Sequence, residues 1–166
     1  MNPKTVIEKS RLEKIVVNSG FGRLATQSNF KDKVLPGLIR EFAAITGQKP
    51  QTRPAKKSIS GFKLRANEII GLRVTLRGKR MVQFLNKITQ LVLPRIRDFR
   101  GIDPETIDEG GNLNIGIKEQ WVFPEIIPEN SPVNFGLQIT IVPKKGGNRK
   151  EAVLLYQKIG IPLKKD

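Results

Sequence analysis

The chain has no cysteine and no histidine among its 166 residues. Without cysteine there can be no disulfide, no thiolate nucleophile and no Cys-ligated zinc. Without histidine the usual neutral-pH general base and the commonest metal ligand are missing as well. Catalysis would have to rest on carboxylates, lysine or serine, so the sequence predicts neither an enzyme nor a bound metal, cofactor or small-molecule substrate. No stretch approaches the roughly 20 apolar residues of a membrane span, and residues 1–10 lack the apolar core of a signal peptide. A soluble, intracellular protein is expected. Acidic residues are also scarce. Fifteen Asp and Glu stand against thirty Lys and Arg, leaving a net charge of +15 and a pI near 10.4. Small domains typically carry a net charge of roughly 2 to 8. An excess this large repels itself unless a polyanion meets it, with nucleic acid the first candidate and an anionic membrane surface the second.

What is present is a chain of one-domain length (1–166), with 38% hydrophobic residues to build a core. Its charge is unevenly spread. Residues 46–100 hold fourteen basic side chains and only two acidic ones, Glu68 and Asp98, a net of +12. Residues 1–45 carry a net of +4 and residues 101–166 a net of −1. Generic surface charge intersperses the two signs, so the middle third reads as a contact face.

Apolar periodicity sets the elements. Glu13–Asn18 is a short β-branched run ending at Ser19-Gly20, which predicts a buried strand. Phe30, Val34, Leu38, Phe42 and Ile45 form a helical stripe over 28–46, with Ser28 or Asn29 as cap and Gly47 as stop. Pro36 implies a kink or a later start. Between Gln48 and Asn67, Pro50 and Pro54 frame a basic extended stretch that runs into a long exposed loop or hairpin. Ile70–Arg77 alternates, with Ile70, Leu72, Val74 and Leu76 on one face and Arg73, Thr75 and Arg77 on the other. Lys79–Leu93 predicts a helix burying Met81, Phe84, Leu85, Ile88, Leu91 and Val92, stopped by Pro94. Two further strands are expected over 113–123 and 133–142, joined by a proline-bearing connection, with a closing helix over 149–159. The order β-α-β-β-α-β-β-α gives an α+β fold: a mostly antiparallel sheet with helices on one face, the other free for RNA, and a long basic loop.

Several candidate sites compete. Gly20-Phe21-Gly22-Arg23-Leu24-Ala25 fits the dinucleotide pattern G-x-G-x-x-A, but no parallel strand ending in an acid follows it, and Glu41 falls inside the helical stripe. A strand-to-helix turn is the simpler expectation. Asp103, Glu105, Asp108 and Glu109 lack calcium-loop spacing and read as a solvated loop. The rival they leave is a magnesium-dependent nuclease, and the membrane rival lacks a helix with bulky apolar residues to spare. The basic elements carry more. Lys56, Lys57, Lys63 and Arg65 surround Phe62, mixing phosphate-seeking charge with a ring able to stack on a base. Arg95, Arg97 and Arg100 follow a helix end closely enough to engage successive phosphates, with Asp98 expected to hold one of them.

Gln48-Lys49-Pro50, KKSISGFKLR (56–65), RVTLRG (73–78), LPRIRDFRG (93–101) and GNLNIGIKEQWVFPEI (111–126) occur in one order. Together they resemble the bacterial-type large-subunit ribosomal protein five family, which binds 5S rRNA. The resemblance runs from about Leu12 to Pro162. It implies a ribosomal protein seated in the central protuberance, contacting 5S rRNA and large-subunit rRNA. Carried over by position, it puts Asn18, Gln48 and Thr75 on the 5S-binding surface, with Lys49 and Arg77 beside them. The loop of Lys56, Lys57, Ser58, Phe62, Lys63 and Arg65 would reach the peptidyl-site tRNA, with Arg95, Arg97 and Arg100 as additional phosphate contacts. Small-subunit protein thirteen would meet it at an intersubunit bridge. The implied location is the cytoplasmic ribosome, an organellar ribosome being the alternative. The chain departs from the family pattern in a shorter stretch before the first strand and a less basic 107–113. It is also more basic over 143–150 (PKKGGNRK), where a further phosphate contact is expected.

Overall fold

A computed structural model describes residues 11–27, 29–131 and 133–164, with Phe62 described by its backbone only. The strands are β1 (Leu12–Gly20), β2 (Gln51–Pro54), β3 (Ile69–Leu76), β4 (Leu113–Ile117) and β5 (Leu137–Pro143). The α-helices are α1 (Gly22–Ala25), α2 (Leu35–Thr46), α3 (Gly78–Lys87) and α4 (Arg149–Ile159). The strands form one five-stranded sheet in the order β2-β3-β1-β5-β4. Setting aside the one-turn α1, the element order is the one the periodicity predicts, and the fold is α+β. β2 pairs antiparallel with β3, Gln51 opposite Arg73 and Arg53 opposite Gly71. It is therefore an edge strand that never lies beside β1, whereas a dinucleotide-binding turn would need a parallel neighbour there.

Pleating separates the two faces. In β3, Leu72, Val74 and Leu76 are buried while Arg73 and Thr75 are half-buried. In β5, Leu137, Ile139 and Ile141 are buried while Gln138 is exposed and Thr140 half-buried. This is the signature of an antiparallel sheet covered on one side.

By packing, the chain forms two compact units. The first comprises the described residues up to Val16, with 75–116 and 139–164. Its helix α3 buries Met81, Phe84 and Leu85, and the helical path continues through a wider turn (Ile88–Val92) that buries Ile88 and Val92. That wider turn shifts the register, so Leu91, expected in the core, is 49% exposed. Pro94 sits in a closing turn, and the chain is extended at Ile96. Helix α4 spans the predicted residues. The Asn148 side chain accepts the Glu151 N–H at its start, and Gly160 ends it with φ 93°. Its Tyr156 hydroxyl is fully buried, 2.8 Å from the Gly111 carbonyl and 3.0 Å from that of Ile141. Burial pushes the phenol well above its ordinary range, so it stays a neutral donor.

The second unit comprises 17–74 and 117–138. Four phenylalanines centre it: Phe21 against Phe135 edge-on at 5.7 Å, with Phe30 and Phe42 each within 6.5 Å of one of them. The predicted 28–46 helix is divided. A wide turn at Phe30–Val34 precedes α2, and Pro36 sits in the first turn of α2, where its missing N–H costs nothing. Asn29 makes no side-chain cap there, and Ser28 lies outside the described residues. Gly71 is required by close approach, since a Cβ there would lie 2.8 Å from the Ser19 carbonyl. The Ser19 hydroxyl in turn donates to the Gly136 carbonyl at 2.6 Å.

The strand expected over 113–123 ends at Ile117, and the one expected over 133–142 runs from Leu137 to Pro143. The physical reason is Gln120, which is fully buried. Its amide donates to Ser131 Oγ (2.9 Å) and the Val133 carbonyl (2.8 Å) and accepts the Phe135 N–H (2.9 Å), standing in for ladder partners. Ser131 passes the bond on to Glu41 of α2 at 2.9 Å, where partial burial raises the carboxyl above its ordinary range. Replacing Gln120 by Leu would orphan the Phe135 N–H and leave the Val133 carbonyl only the Ser131 hydroxyl, at 3.1 Å. We expect a loss of about 2–4 kcal/mol in denaturant unfolding; a change under about 0.5 kcal/mol would remove Gln120 as the staple of this segment.

Candidate nucleic-acid interface

In the second unit, the polar candidates sit where strands and turns hand them to solvent. Asn18 is half-buried near the end of β1 and lines a shallow groove with Ser19, Gly20, Gly136 and Gln138. Gly47 closes α2 at φ 68°, a conformation that only glycine adopts cheaply, and so turns the chain into Gln48-Lys49-Pro50. The buried Thr46 hydroxyl lies 2.8 Å from the Phe42 carbonyl and 3.0 Å from that of Gln48, and its one proton is shared between the helix end and the turn. Pro50 is buried, Gln48 half-buried and Lys49 exposed. All four residues of β2, Arg53 among them, are exposed.

The stretch expected as a loop or hairpin is a hairpin with internal structure. Ala55 and Glu68 close its base through the Ala55 N–H (2.8 Å), and the Asn67 N–H returns to the Ala55 carbonyl (2.9 Å). Ile59 and Leu64 form a bridge near its tip. Ser58 Oγ accepts the Ala66 N–H at 2.9 Å, so this hydroxyl serves the hairpin's own backbone. Lys63 and Asn67 take up positive φ. The effect is to hold Lys56, Lys57, Lys63 and Arg65 outward, all exposed. The side chain of Phe62 lies outside the described residues.

Arg73 was placed on the polar face by alternation but not singled out. Its side-chain Nε is buried with no hydrogen-bond partner among the described residues. A buried donor left unpaired is costly, and here it belongs to a cation on the strand's polar side. The signal was available in the alternation of R-V-T-L-R.

In the first unit, Thr75 is half-buried on the polar side of β3, and Arg77 is extended just before α3. Arg77 does not stand alone: Nη1 reaches the Glu13 carboxylate at 3.1 Å, and Lys14 reaches the same oxygen at 3.2 Å. The Arg77 hydrogen bond, then Lys14, holds the Glu13 carboxyl below its ordinary range. Arg95, Arg97 and Arg100 are all exposed. Asp98, expected to brace one of them, forms no ion pair with any of the three among the described residues. It occupies the turn at φ 56° instead. Asp103 and Asp108 are engaged by backbone: Asp103 accepts the Glu105 N–H (2.9 Å), and Asp108 accepts the Asn112 N–H (2.8 Å) and side-chain amide (2.9 Å). Among the described residues no group of acidic side chains is arranged to hold a metal ion, and no helix is long and apolar enough to cross a membrane.

The sequence matches two profiles of one family, Ribosomal protein L5 over residues 6–65 and that family's C-terminal part over residues 69–163. The chain belongs to the ribosomal protein L5 family. Members are structural constituents of the large ribosomal subunit and not enzymes. The large ribosomal subunit protein uL5 of Pseudothermotoga lettingae is 46% identical over 164 residues, covering 99% of this chain and 87% of that protein. The uL5 of Thermus aquaticus is 45% identical, covering 98% of this chain and 86% of its own length. The uL5c of Gracilaria tenuistipitata var. liui is 47% identical over 96% and 86%.

For this L5-family chain the Glu13 carboxylate is a local brake, drawing Arg77 and Lys14 toward itself. Replacing Glu13 by Gln should raise the salt concentration that elutes the protein from a heparin column, by about the worth of one extra phosphate contact. Glu13 is ionised at neutral pH because its neighbours favour the charged form. As pH falls through its lowered pKa that charge disappears, so wild type and variant should converge in acid. Identical elution at pH 7 would show that the carboxylate does not restrain the cations.

Proposed function

We propose that this large-subunit protein binds 5S rRNA in the central protuberance, with Asn18, Gln48, Lys49, Thr75 and Arg77 among its contacts. In this reading the hairpin of Lys56, Lys57, Ser58, Phe62, Lys63 and Arg65 reaches the peptidyl-site tRNA and, at the small-subunit head, protein thirteen. Arg95, Arg97 and Arg100 supply further phosphate contacts, some to large-subunit rRNA. The observation that most supports the reading is the sheet's polar side. There, short polar side chains sit half-buried at fixed register, and Arg73 carries a buried donor with no acceptor. A-form RNA keeps its base edges in a groove too deep and narrow for side chains, and offers phosphates and 2′-hydroxyls instead. Half-buried Asn, Gln and Thr side chains suit the hydroxyls, and a guanidinium fork suits the phosphate.

The hairpin fits a different task. Its cations are long, exposed and carried on a projection pinned by backbone bonds, which suits reach toward a mobile ligand more than shape recognition.

Arg77→Ala or Lys49→Ala should weaken 5S rRNA binding by about tenfold and lower its salt slope by about one. Arg73→Lys keeps the charge but removes the Nε donor, so affinity should fall with little change in slope. Lys63→Ala should leave 5S rRNA affinity intact and weaken crosslinking of assembled ribosomes to peptidyl-site tRNA. Equal loss of both activities in Lys63→Ala would contradict the division between sheet and hairpin. Unchanged affinity in Arg77→Ala and Lys49→Ala together would remove both from the 5S surface.

A further inference from the structure

Among the described side chains from Lys56 to Asn67, only that of Leu64 is not exposed. Leu64 is the hairpin's one contribution to a cleft of about 650 Å³ in the second unit, whose other walls include Phe21, Gly22, Leu24, Phe135 and Gly136. Leu64 Cδ1 lies 4.0 Å from where a Cβ on Gly22 would stand, so alanine would fit there and a longer side chain would meet the leucine. The sheet does not hold the hairpin's tip by itself. The pairing of β2 with β3 shifts register between Arg53 and Pro54, at the hairpin's foot, and Asn67 on the returning limb stands at φ 69°. Beyond the bonds that join Ala55 to Asn67 and Glu68, the next backbone bonds between the limbs are those of Ile59 and Leu64, at 2.9 and 3.2 Å. A two-stranded hairpin alone is marginally stable in water, so the tip needs an anchor of its own. Ile59, across the bridge, is 48% exposed, which leaves the task to Leu64.

We infer that Leu64 is a positioning residue, a latch that sets the direction of the hairpin by seating against Gly22. Withdrawing it frees the tip to pivot about Pro54 and Asn67. The division of labour within Leu64 makes this possible: its backbone closes the tip's own bridge, and its side chain ties that bridge to the body of the unit. Packing of this kind has discrete seated and released arrangements rather than a continuum between them. The inference concerns how the hairpin is held and does not depend on which partner it meets.

Because the chain lacks cysteine, two introduced cysteines are unique sites for spin labels. Ser60→Cys at the tip and Ala44→Cys on α2, both at exposed positions, report the hairpin's direction by pulsed electron resonance. With Leu64 in place the distance distribution should be narrow. Leu64→Ala should broaden it. In the unlabelled chain the same change should speed trypsin cleavage after Lys57 by about fivefold, relative to cleavage after Lys145 in the first unit, as the loss of a half-buried leucine implies. Gly22→Leu should act alike with Leu64 intact, since it fills the seat. Leu64→Met keeps the apolar volume and should match the wild type. Ile59→Ala removes aliphatic surface from the tip outside the cleft and should leave the distribution narrow. A broad distribution with Leu64 and Gly22 both intact overturns the inference, as does a narrow one in both Leu64→Ala and Gly22→Leu. Equal broadening by Ile59→Ala overturns it too, because the tip would then depend on the hairpin's own stability and not on the seat.

Discussion

The two-residue period of the strands constrains everything else in this molecule. Because alternate side chains must leave opposite faces, a strand that buries Leu72, Val74 and Leu76 necessarily offers Arg73 and Thr75 on the other side. A register slip of one residue would put a guanidinium in the core and three aliphatic side chains in water, a difference of many kcal/mol. Register is therefore fixed by the core, and the polar side inherits its precision at no further cost. Gly71 shows how tightly that register is held, since no other residue could stand 2.8 Å from the Ser19 carbonyl at its Cβ.

Charge is handled by the opposite logic. The excess is +15 over the whole chain. The pairs made by Glu13 and Asp103 are exposed, and exposed pairs contribute little to stability. Nothing in the fold requires Lys49, Lys56, Lys57 or Lys63 to be where they are; all are exposed. A chain that keeps many unneeded cations on turns and a hairpin tolerates self-repulsion that a polyanion relieves on binding. The core and the exposed cations thus draw on largely separate residues, and Arg73, half-buried on β3, stands close to both.

The legible parts of the sequence were those governed by a single short-range rule. The alternation of β3, the stripe of α3 and the 149–159 extent of α4 each follow from local spacing. What was not legible came from partners distant in the chain. The apolar run after Leu113 looks like one long strand, yet it stops at Ile117 because Gln120 finds its hydrogen bonds eleven to fifteen residues onward. Leu91 fits an ideal 3.6-residue period but is turned outward by the wide turn at Ile88–Val92. For the candidate site, composition led only as far as a polyanion, and a particular RNA entered only as what the family resemblance implies. Arg73 was visible as a polar-face residue, but its burial depends on neighbours that one strand's sequence does not report.

Two kinds of cation then follow from how each is held. Arg73 is fixed by a strand and Arg77 by the strand-helix junction and Glu13. The Arg73 guanidinium, with its Nε buried, has less freedom left to lose than that of Arg77, whose pair with Glu13 lies in solvent. Lys49, Lys63, Lys144 and Lys145 hang from turns and loops and keep most of their rotamer freedom. They contribute counterion release wherever a phosphate comes near, and they forfeit side-chain entropy when they are pinned. A protein that must recognise one RNA shape while surrounded by others needs the first kind to discriminate and the second to adhere. Within the sheet the edge strand β2 exposes Arg53 in this second way, and the exposed lysines lie beyond the strands, in the 47–50 turn, the 55–68 hairpin and the 143–150 loop.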